Sequence, residues 1–503
     1  MDALQNLLHG FALALSPGYL MYAFIGSMLG TLIGVLPGIG PTGGIAMLIP
    51  LTFRIDTTGA IIMLSAIFYG TMYGGTITSV LVNVPGEAAS AITCLDGYQM
   101  ARKGRAGAAL TIAAIGSFIG GVLATVGLVI AAPPLARLGL RFGPPEFFGL
   151  MVLGISLVTG LSGKSIVKAL IMAAFGLLLG MVGMDPALGS PRFTFGEMEL
   201  LGGVELVPMI MGLMGVSEVL LCVETPLREV FLKTPLRSLF LTMQEWKDSV
   251  GPIFRGTAVG FFLGLIPGMN TLIAAFMAYI VERRVSKEPD KFGTGMIQGV
   301  AGPETANNAF ANAAFIPLFS LGIPGSPAIA VLLGAFLMNG VTPGPLLFKE
   351  KPDLVWAVIA SFILGNVILL ILNLPLIGMW VALLRIPYSI FYPLILVFCI
   401  VGAYSINNSV FDIGVMTLFS VLGYAFRKLD LPLAPAVLTF ILGPMMEKSL
   451  RNSLEMSRGD FGIIFSRPIA ASVLAVAAVI LVTFVLMGYL RKGQAVREEQ
   501  VEV

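Results

Sequence analysis

Histidine, cysteine and charge are scarce in this sequence, and each shortage argues against a class of function. The 503 residues include one histidine and three cysteines, and 12% are charged, whereas a soluble domain carries about 25%. With His9 as the one histidine, no Cys/His metal site can be assembled. The formal net charge of +2 does not point to a nucleic-acid partner. We expect no metal site of this kind, no cofactor and no bound nucleic acid.

Apolar residues dominate instead. They make up 57% of the chain, and the mean hydropathy is +0.93. The apolar runs lie near 17–36, 59–82, 106–132, 146–184, 204–223, 256–281, 313–340, 354–384, 386–404, 411–426 and 468–490. Roughly 20 apolar residues cross a bilayer, so we expect an all-α polytopic membrane protein with about 10 to 13 membrane segments, some of half length. The start, MDALQNLLHGF, lacks the basic residues of a secretory signal and is expected to be retained.

Proline-glycine pairs interrupt the apolar runs in a doubled pattern. One kind of break reads GVLPGIG at Pro37-Gly38 and GLIPGMN at Pro267-Gly268. A second kind reads VNVPGEAAS at Pro85-Gly86 and LGIPGSPAI at Pro324-Gly325. One such pair is compatible with a simple kink, but unwound backbone persists in a membrane only where protein or a water-filled cavity satisfies it. The doubling therefore indicates a carrier with two repeats and a site between them.

The distribution of charge divides the chain into four parts. We interpret 1–223 as the first membrane repeat, 224–255 as an amphipathic linker at the membrane surface, 256–490 as the second repeat with terminal helices, and 491–503 as a polar, disordered tail. An ordinary solvated loop is the alternative for the linker.

Basic residues predict that the two repeats are inverted. The loop before the second break of the first half contains Arg54 alone, and the loop after it contains Arg102, Lys103 and Arg105. In the second half the loop before the break, ERRVSKEPDK, is the more basic one, and FKEKPD follows the break. Since basic residues favour cytoplasmic loops, equivalent loops are expected on opposite sides.

The segment GPETANNAFANAAF is the most polar stretch within the membrane region of the second half. Glu304, Asn308 and Asn312 follow at helical spacing and would form one stripe, flanked by Thr305 and Asn307. Amides can donate to an anion or offer oxygens to a cation, and an ionisable residue at membrane depth is costly to bury. We predict a substrate site here. The alternative is helix packing through small and amide residues.

Broken helices offer backbone groups that can bind both the substrate and the coupling ion of a carrier. Helix N-termini attract anions, and unwound carbonyls suit Na⁺. We therefore add the second breaks to the predicted substrate site, with Pro85, Gly86, Glu87, Ala88, Gly322, Pro324, Gly325 and Ser326. The first breaks are predicted to bind a cation through Pro37, Gly38, Gly40, Pro267, Gly268 and Asn270.

The same segments resemble a known family, the large membrane subunit of the tripartite tricarboxylate transporters. The resemblance is carried by GTLIGVLPGIGPTGGIAMLIPLTF (30–53), by YGTMYGGTITSVLVNVPGEAASAITCLDGYQMARKGRAGAAL (69–110), by GPETANNAFANAAFIPLFSLGIPGSPAIAVLLGAF (302–336) and by LGPMMEKSLRNSLEMSRGDF (442–461). It extends over nearly the whole chain.

This resemblance implies partners, energy source and substrate class. A small four-helix membrane subunit and a periplasmic binding protein would accompany the chain in a bacterial inner membrane. Import of di- or tricarboxylates such as citrate would be coupled to Na⁺ or H⁺, without ATP, through an elevator-type architecture. A self-sufficient organic-anion carrier is the first alternative. An intramembrane enzyme is a more remote one, because carboxylates are sparse and scattered and histidine is nearly absent.

Overall fold

The computed structural model describes residues 3–36, 38–161, 165–185, 188–224, 239–383 and 388–501. It is helical apart from a small antiparallel hairpin of β1 (Gly183–Met184) and β2 (Pro191–Arg192). The helices are α1 (Ala3–Ala14), α2 (Pro17–Val35), α3 (Gly40–Leu48), α4 (Thr57–Val82), α5 (Ala91–Arg102), α6 (Ala106–Gly139), α7 (Pro144–Leu161), α8 (Ile166–Gly180), α9 (Leu206–Ile210), α10 (Ser217–Glu224), α11 (Met243–Gly264), α12 (Thr271–Val285), α13 (Gln298–Ala313), α14 (Phe315–Leu321), α15 (Pro327–Met338), α16 (Leu347–Glu350), α17 (Pro352–Asn373), α18 (Ile377–Leu383), α19 (Tyr388–Asn407), α20 (Val410–Lys428), α21 (Leu433–Met456), α22 (Gly462–Ser466) and α23 (Pro468–Val501).

Nine helices in the described part of the chain are long and apolar enough to cross a membrane. Three shorter apolar helices, at Pro144–Gly160, Ile166–Gly180 and Pro327–Met338, add segments of reduced length. The prediction of an all-α polytopic membrane protein is therefore confirmed. The predicted inverted repeats and elevator architecture stay predictions.

The chain folds into two compact units, and the predicted division into two successive repeats stays a prediction. Unit 1 comprises 1–137 and 207–421, and unit 2 comprises 138–206 and 422–503. Residues 225–238 of the predicted surface linker lie outside the described residues, and α11 crosses the predicted boundary at 255. The tail from 491, predicted to be disordered, is helical as far as Val501, where it continues α23.

Glycines at four-residue spacing let helices of unit 1 approach each other closely in the first half. Gly26, Gly30 and Gly34 of α2 lie against the backbone carbonyls of α4. A Cβ atom at any of the three would overlap with the carbonyl oxygen of Met63, Ile67 or Thr71. Small residues at this spacing are a common membrane packing motif.

The second half repeats this arrangement with α11 and α13. Gly256 and Gly260 lie against the carbonyls of Gly302 and Ala306, and Gly264 packs beside Phe310 and Ala313. In both halves the last glycine of the series comes three positions before the proline of the first break. The two halves therefore share a local packing pattern.

The second breaks also have matching backbones. Asn83 caps the C-terminus of α4, and Gly322 caps that of α14; both residues are left-handed, with φ of 60° and 72°. Each is followed by one apolar residue and then Pro-Gly. An asparagine or a glycine at this place is expected, since other side chains strain the left-handed conformation.

Unit 2 is built from α7, α8, α21, α22 and α23 with the β-hairpin. α8 packs closely on α21, where Gly176 lies against Ala436 and Thr439. Glu447 accepts hydrogen bonds from Arg192 and Arg451, and Arg451 also binds Asp185, at 2.8 Å. The buried Asp185 and the half-buried Glu447 are thus both paired with arginines.

Candidate functional site

Helix α13 forms the centre of the predicted site and is buried in unit 1. The polar segment was predicted to be helical, and residues 298–313 form a helix whose members from Gly299 to Ala313 are all buried. Glu304, Thr305, Asn307, Asn308 and Asn312 are each at most 2% exposed. The side chains of this group nevertheless divide between two sets of neighbours.

The first set faces α4 and α5. Glu304 Oε2 accepts a hydrogen bond of 2.6 Å from the hydroxyl of Thr76 on α4, and its Oε1 accepts one from Thr93 on α5. Both donors are neutral. The carboxyl group is therefore held by hydroxyls, without an ion pair among the described residues.

Asn307, one turn further along α13, brings the loop of the first-half break into the same set. Its amide donates to Glu87 Oε1 at 2.7 Å. Glu87 follows Pro85-Gly86 directly and is 4% exposed. The hydroxyl of Ser90 fixes the loop by donating to the Glu87 carbonyl at 2.8 Å. Residues 87–93 thus lie along α13, with Glu87 at Asn307 and Thr93 at Glu304.

The second set faces α6. Asn308 Nδ2 donates to Ser117 Oγ at 2.7 Å, and Asn312 Nδ2 donates to the Gly121 carbonyl at 2.8 Å. Thr305 lies against Gly116 and Gly120. The predicted stripe of Glu304, Asn308 and Asn312 is therefore divided, and its two amides bond to a neighbouring helix.

Three amide oxygens of this cluster remain available. Asn307 Oδ1, Asn308 Oδ1 and Asn312 Oδ1 are buried and accept no hydrogen bond from the described residues. A buried acceptor without a donor costs about 1 to 3 kcal/mol. Three such oxygens on one helix make α13 suited to bind a donor group or a cation.

The second-half break lies beside its own first break. The amide of Gly268 donates to the Gly325 carbonyl at 2.9 Å, which joins the two Pro-Gly turns. Ser326 begins α15 as its N-cap and accepts from Ile329 N at 3.4 Å. In the first half, Gly86 similarly lies against the carbonyl of Gly34, just before the first break.

The predicted cation residues occupy different surroundings. Pro37 lies outside the described residues, and Gly38 and Gly40 both have positive φ. Asn270 Oδ1 accepts from Ile273 N at 2.9 Å and so caps α12. In this conformation the Asn270 oxygen serves the helix, and a cation there would compete with that hydrogen bond.

A surface cleft of about 750 Å³ lies away from the buried cluster. It contains two ion pairs, Arg105 with Glu245 and Arg255 with Glu282. Partial burial raises the pKa of Glu245, but hydrogen bonds from Arg105 and Thr242 outweigh it, so the pKa is lowered overall. In each of these two pairs the charges compensate each other, and the predicted site residues lie in the buried cluster instead.

Sequence reasoning missed Thr93, Asp96 and Ser117. Asp96 is fully buried and accepts hydrogen bonds from the Tyr279 hydroxyl and from the backbone amides of Gly293, Gly295 and Met296. It thereby anchors the loop that leads into α13. A lone aspartate in the otherwise weakly polar ITCLDGY was the available signal; the roles of Thr93 and Ser117 depend on distant contacts.

Comparison with known proteins adds independent information. The profile of the family described as "Tripartite tricarboxylate transporter TctA family" matches residues 20–438. An Agrobacterium vitis protein described as "Uncharacterized 52.8 kDa protein in TAR-I ttuC' 3'region" is 48% identical over 501 residues, which cover 99% of this chain and 100% of that protein. A second one, "Uncharacterized protein in TAR-II ttuC' 3'region", is 46% identical over 227 residues, 45% of this chain and 94% of its own. No solved structure matches the chain significantly.

Proposed function

This chain belongs to the tripartite tricarboxylate transporter TctA family, and from that premise we propose that it is the membrane permease of a binding-protein-dependent secondary carrier. It would import di- or tricarboxylates such as citrate, driven by a Na⁺ or H⁺ gradient. A small four-helix membrane subunit and a periplasmic binding protein would complete the complex in the bacterial inner membrane. The multi-pass helical fold and the family membership support this proposal.

One observation carries the proposal furthest. A cluster of buried polar groups, including Glu87, Glu304 and Asn307, occurs beside the Pro-Gly breaks of a protein rich in apolar helices. Burying such groups without function is unfavourable, and broken helices next to them are typical of carriers.

We propose that the transport site is formed by both sets around α13 and by the two second breaks. The substrate would be bound by the amides of α13 and by the loops at 85–88 and 322–326. The first breaks at 36–40 and 266–270 stay candidates for a coupling cation. The unpartnered oxygens of Asn308 and Asn312 support a polar ligand at this place.

The test is uptake of labelled citrate and related carboxylates into proteoliposomes. They would contain this chain with its small membrane subunit, with or without the binding protein, under an imposed Na⁺ or pH gradient. Uptake that requires both a gradient and the binding protein is the expected result. Gradient-driven uptake without the binding protein would indicate a self-sufficient carrier, and no uptake of any carboxylate would refute the substrate class.

A further inference from the structure

Glu304 is placed differently from a residue that binds a carboxylate substrate. It is 1% exposed, and both of its oxygens are occupied by hydroxyl groups, one on α4 and one on α5. Asn307, on the same helix as Glu304, donates a hydrogen bond to a second carboxyl group, that of Glu87. An anionic substrate would be repelled by this pair if both were charged.

The charges around Glu304 do not compensate it. Arg255 of α11 and Glu282 of α12, the two helices that pack on α13 from the other side, bind each other at 2.6 Å. Asp96 on α5 is held by Tyr279 and backbone amides. α6 brings no titratable side chain near α13. Tyr73, Glu87 and Cys94 are the titratable groups that interact electrostatically with Glu304, while the Asp96–Tyr279 and Arg255–Glu282 pairs lie on helices packed against α13 near Gly299 and Gly302.

The contacts leave no space for a metal ion at the carboxyl group. A hard cation is held by several oxygens around a space of its own. Here Glu304 touches both threonine hydroxyls directly, and a cavity of only about 10 Å³ lies beyond Thr76. Such a volume is near the limit for one water molecule. A proton is the cation that fits without moving the side chains.

Counting hydrogen atoms supports the same conclusion. The Thr76 hydroxyl lies 2.6 Å from Glu304 Oε2 and 3.3 Å from the Met72 carbonyl, and it has one hydrogen to donate. A protonated Glu304 could donate to Thr76, which would then donate to Met72. All three groups would be satisfied by one added proton.

We propose that Glu304 binds and releases the coupling proton, which rests on the proposed transport function. A small cavity lined by Tyr73, Thr76, Ser117 and Asn373 lies beside Thr76, whose hydroxyl contacts Glu304. Asn373 Oδ1, buried and without a donor among the described residues, suits a water molecule there. The proton comes from water as Glu304 becomes neutral, and it returns to water when the carboxylate forms again.

The test compares two kinds of transport by Glu304→Gln, which is permanently neutral, in proteoliposomes with both partner proteins. We expect accumulation driven by a pH gradient to fall to the level of protein-free vesicles. Carboxylate exchange at equal pH on both sides should continue and become independent of pH. Glu282→Gln is the matched control, a carboxylate of similar burial but paired with Arg255, and it should retain gradient-driven accumulation.

A second variant keeps the proposal testable if Glu304→Gln fails to fold. Thr93→Val has nearly the same shape and removes one donor to the carboxylate, so the midpoint of the pH dependence of uptake should move to higher pH. Unchanged pH dependence in this variant, or gradient-driven accumulation by Glu304→Gln, would overturn the proposal while transport stands. Wild-type uptake driven by Na⁺ alone would do the same. No wild-type transport under any gradient would overturn the proposed function and this inference with it.

Discussion

The two halves of unit 1 share their backbone pattern but differ in chemistry. α2 on α4 and α11 on α13 use the same glycine spacing, and both second breaks follow a left-handed residue. Ser65 lies two positions after Met63, and Glu304 lies two positions after Gly302, so they occupy equivalent places against the glycines. Glu87 and Ser326 are equivalent in the same way after Pro-Gly. The two halves therefore share a local backbone pattern, and each has its carboxylate at a different position within that pattern.

A comparison between the units extends this conclusion. In unit 2 the carboxylates of Asp185 and Glu447 are bound by Arg192 and Arg451. In unit 1, Glu87 and Glu304 are bound by amide and hydroxyl groups. Removing one partner of an ion pair is costly because it leaves an uncompensated charge, whereas a carboxylate without an ion pair can take up a cation. Asp185 and Glu447 thus belong to an ion-paired network, whereas Glu87 and Glu304 have no ion pair among the described residues.

The largest effect is expected from disrupting the close helix packing that both halves share. Gly30→Leu and Gly260→Leu should each destabilise the protein by about 3 kcal/mol or more, because a side chain must enter the space of a neighbouring backbone. Thermal unfolding and gel filtration of purified protein would measure it. Gly18→Leu, at an open position of α2, is the control. Normal stability of either core variant would contradict the close packing.

The next effect concerns the amides that only the second half carries. Asn308→Leu and Asn312→Leu should abolish carboxylate uptake while leaving protein in the membrane, since each removes a site oxygen and a bond to α6. Uptake and membrane abundance would be measured together. Asn339→Leu, at the end of α15, is the matched control. Normal uptake by both site variants would move the site elsewhere.

A third experiment tests whether the two halves have opposite orientations in the membrane. It measures topology, and no change in activity is needed. Cysteines placed at 103 and 349, after removal of Cys94, Cys222 and Cys399, should react with an impermeant reagent from opposite sides of the membrane. Lys103 and Lys349 are both exposed, so the reagent can reach either position. Labelling of both from the same side would reject the inverted arrangement.

The smallest effect is expected at the first-half equivalent of Glu304. Ser65 is buried, and its hydroxyl has no partner among the described residues. Ser65→Ala should therefore change the free energy of unfolding by less than about 1 kcal/mol and leave uptake unchanged. Thermal unfolding and uptake at several pH values would show this. A loss of pH-gradient coupling would mean that both halves take part in ion binding.

Much of this arrangement was accessible from the sequence. The length of the apolar runs predicted the helical membrane fold. The Pro-Gly pairs located all four breaks, because proline has no backbone N–H to donate and so interrupts a helix locally. The helical spacing expected for Glu304, Asn308 and Asn312 is also found, in α13, which spans Gln298–Ala313. The glycine series before each first break was visible too, but its meaning depends on which helix lies opposite.

The helical membrane fold, the positions of the Pro-Gly breaks and the polar segment of α13 could all be inferred from the sequence alone. Those properties follow from hydrophobic transfer and local backbone geometry. Only the tertiary structure decided that Glu304 meets Thr76 and Thr93, and that Asn308 and Asn312 bond to α6. Neighbours distant in sequence determine whether a buried carboxylate is paired with a cation or free to gain a proton, and helical spacing carries no information about them.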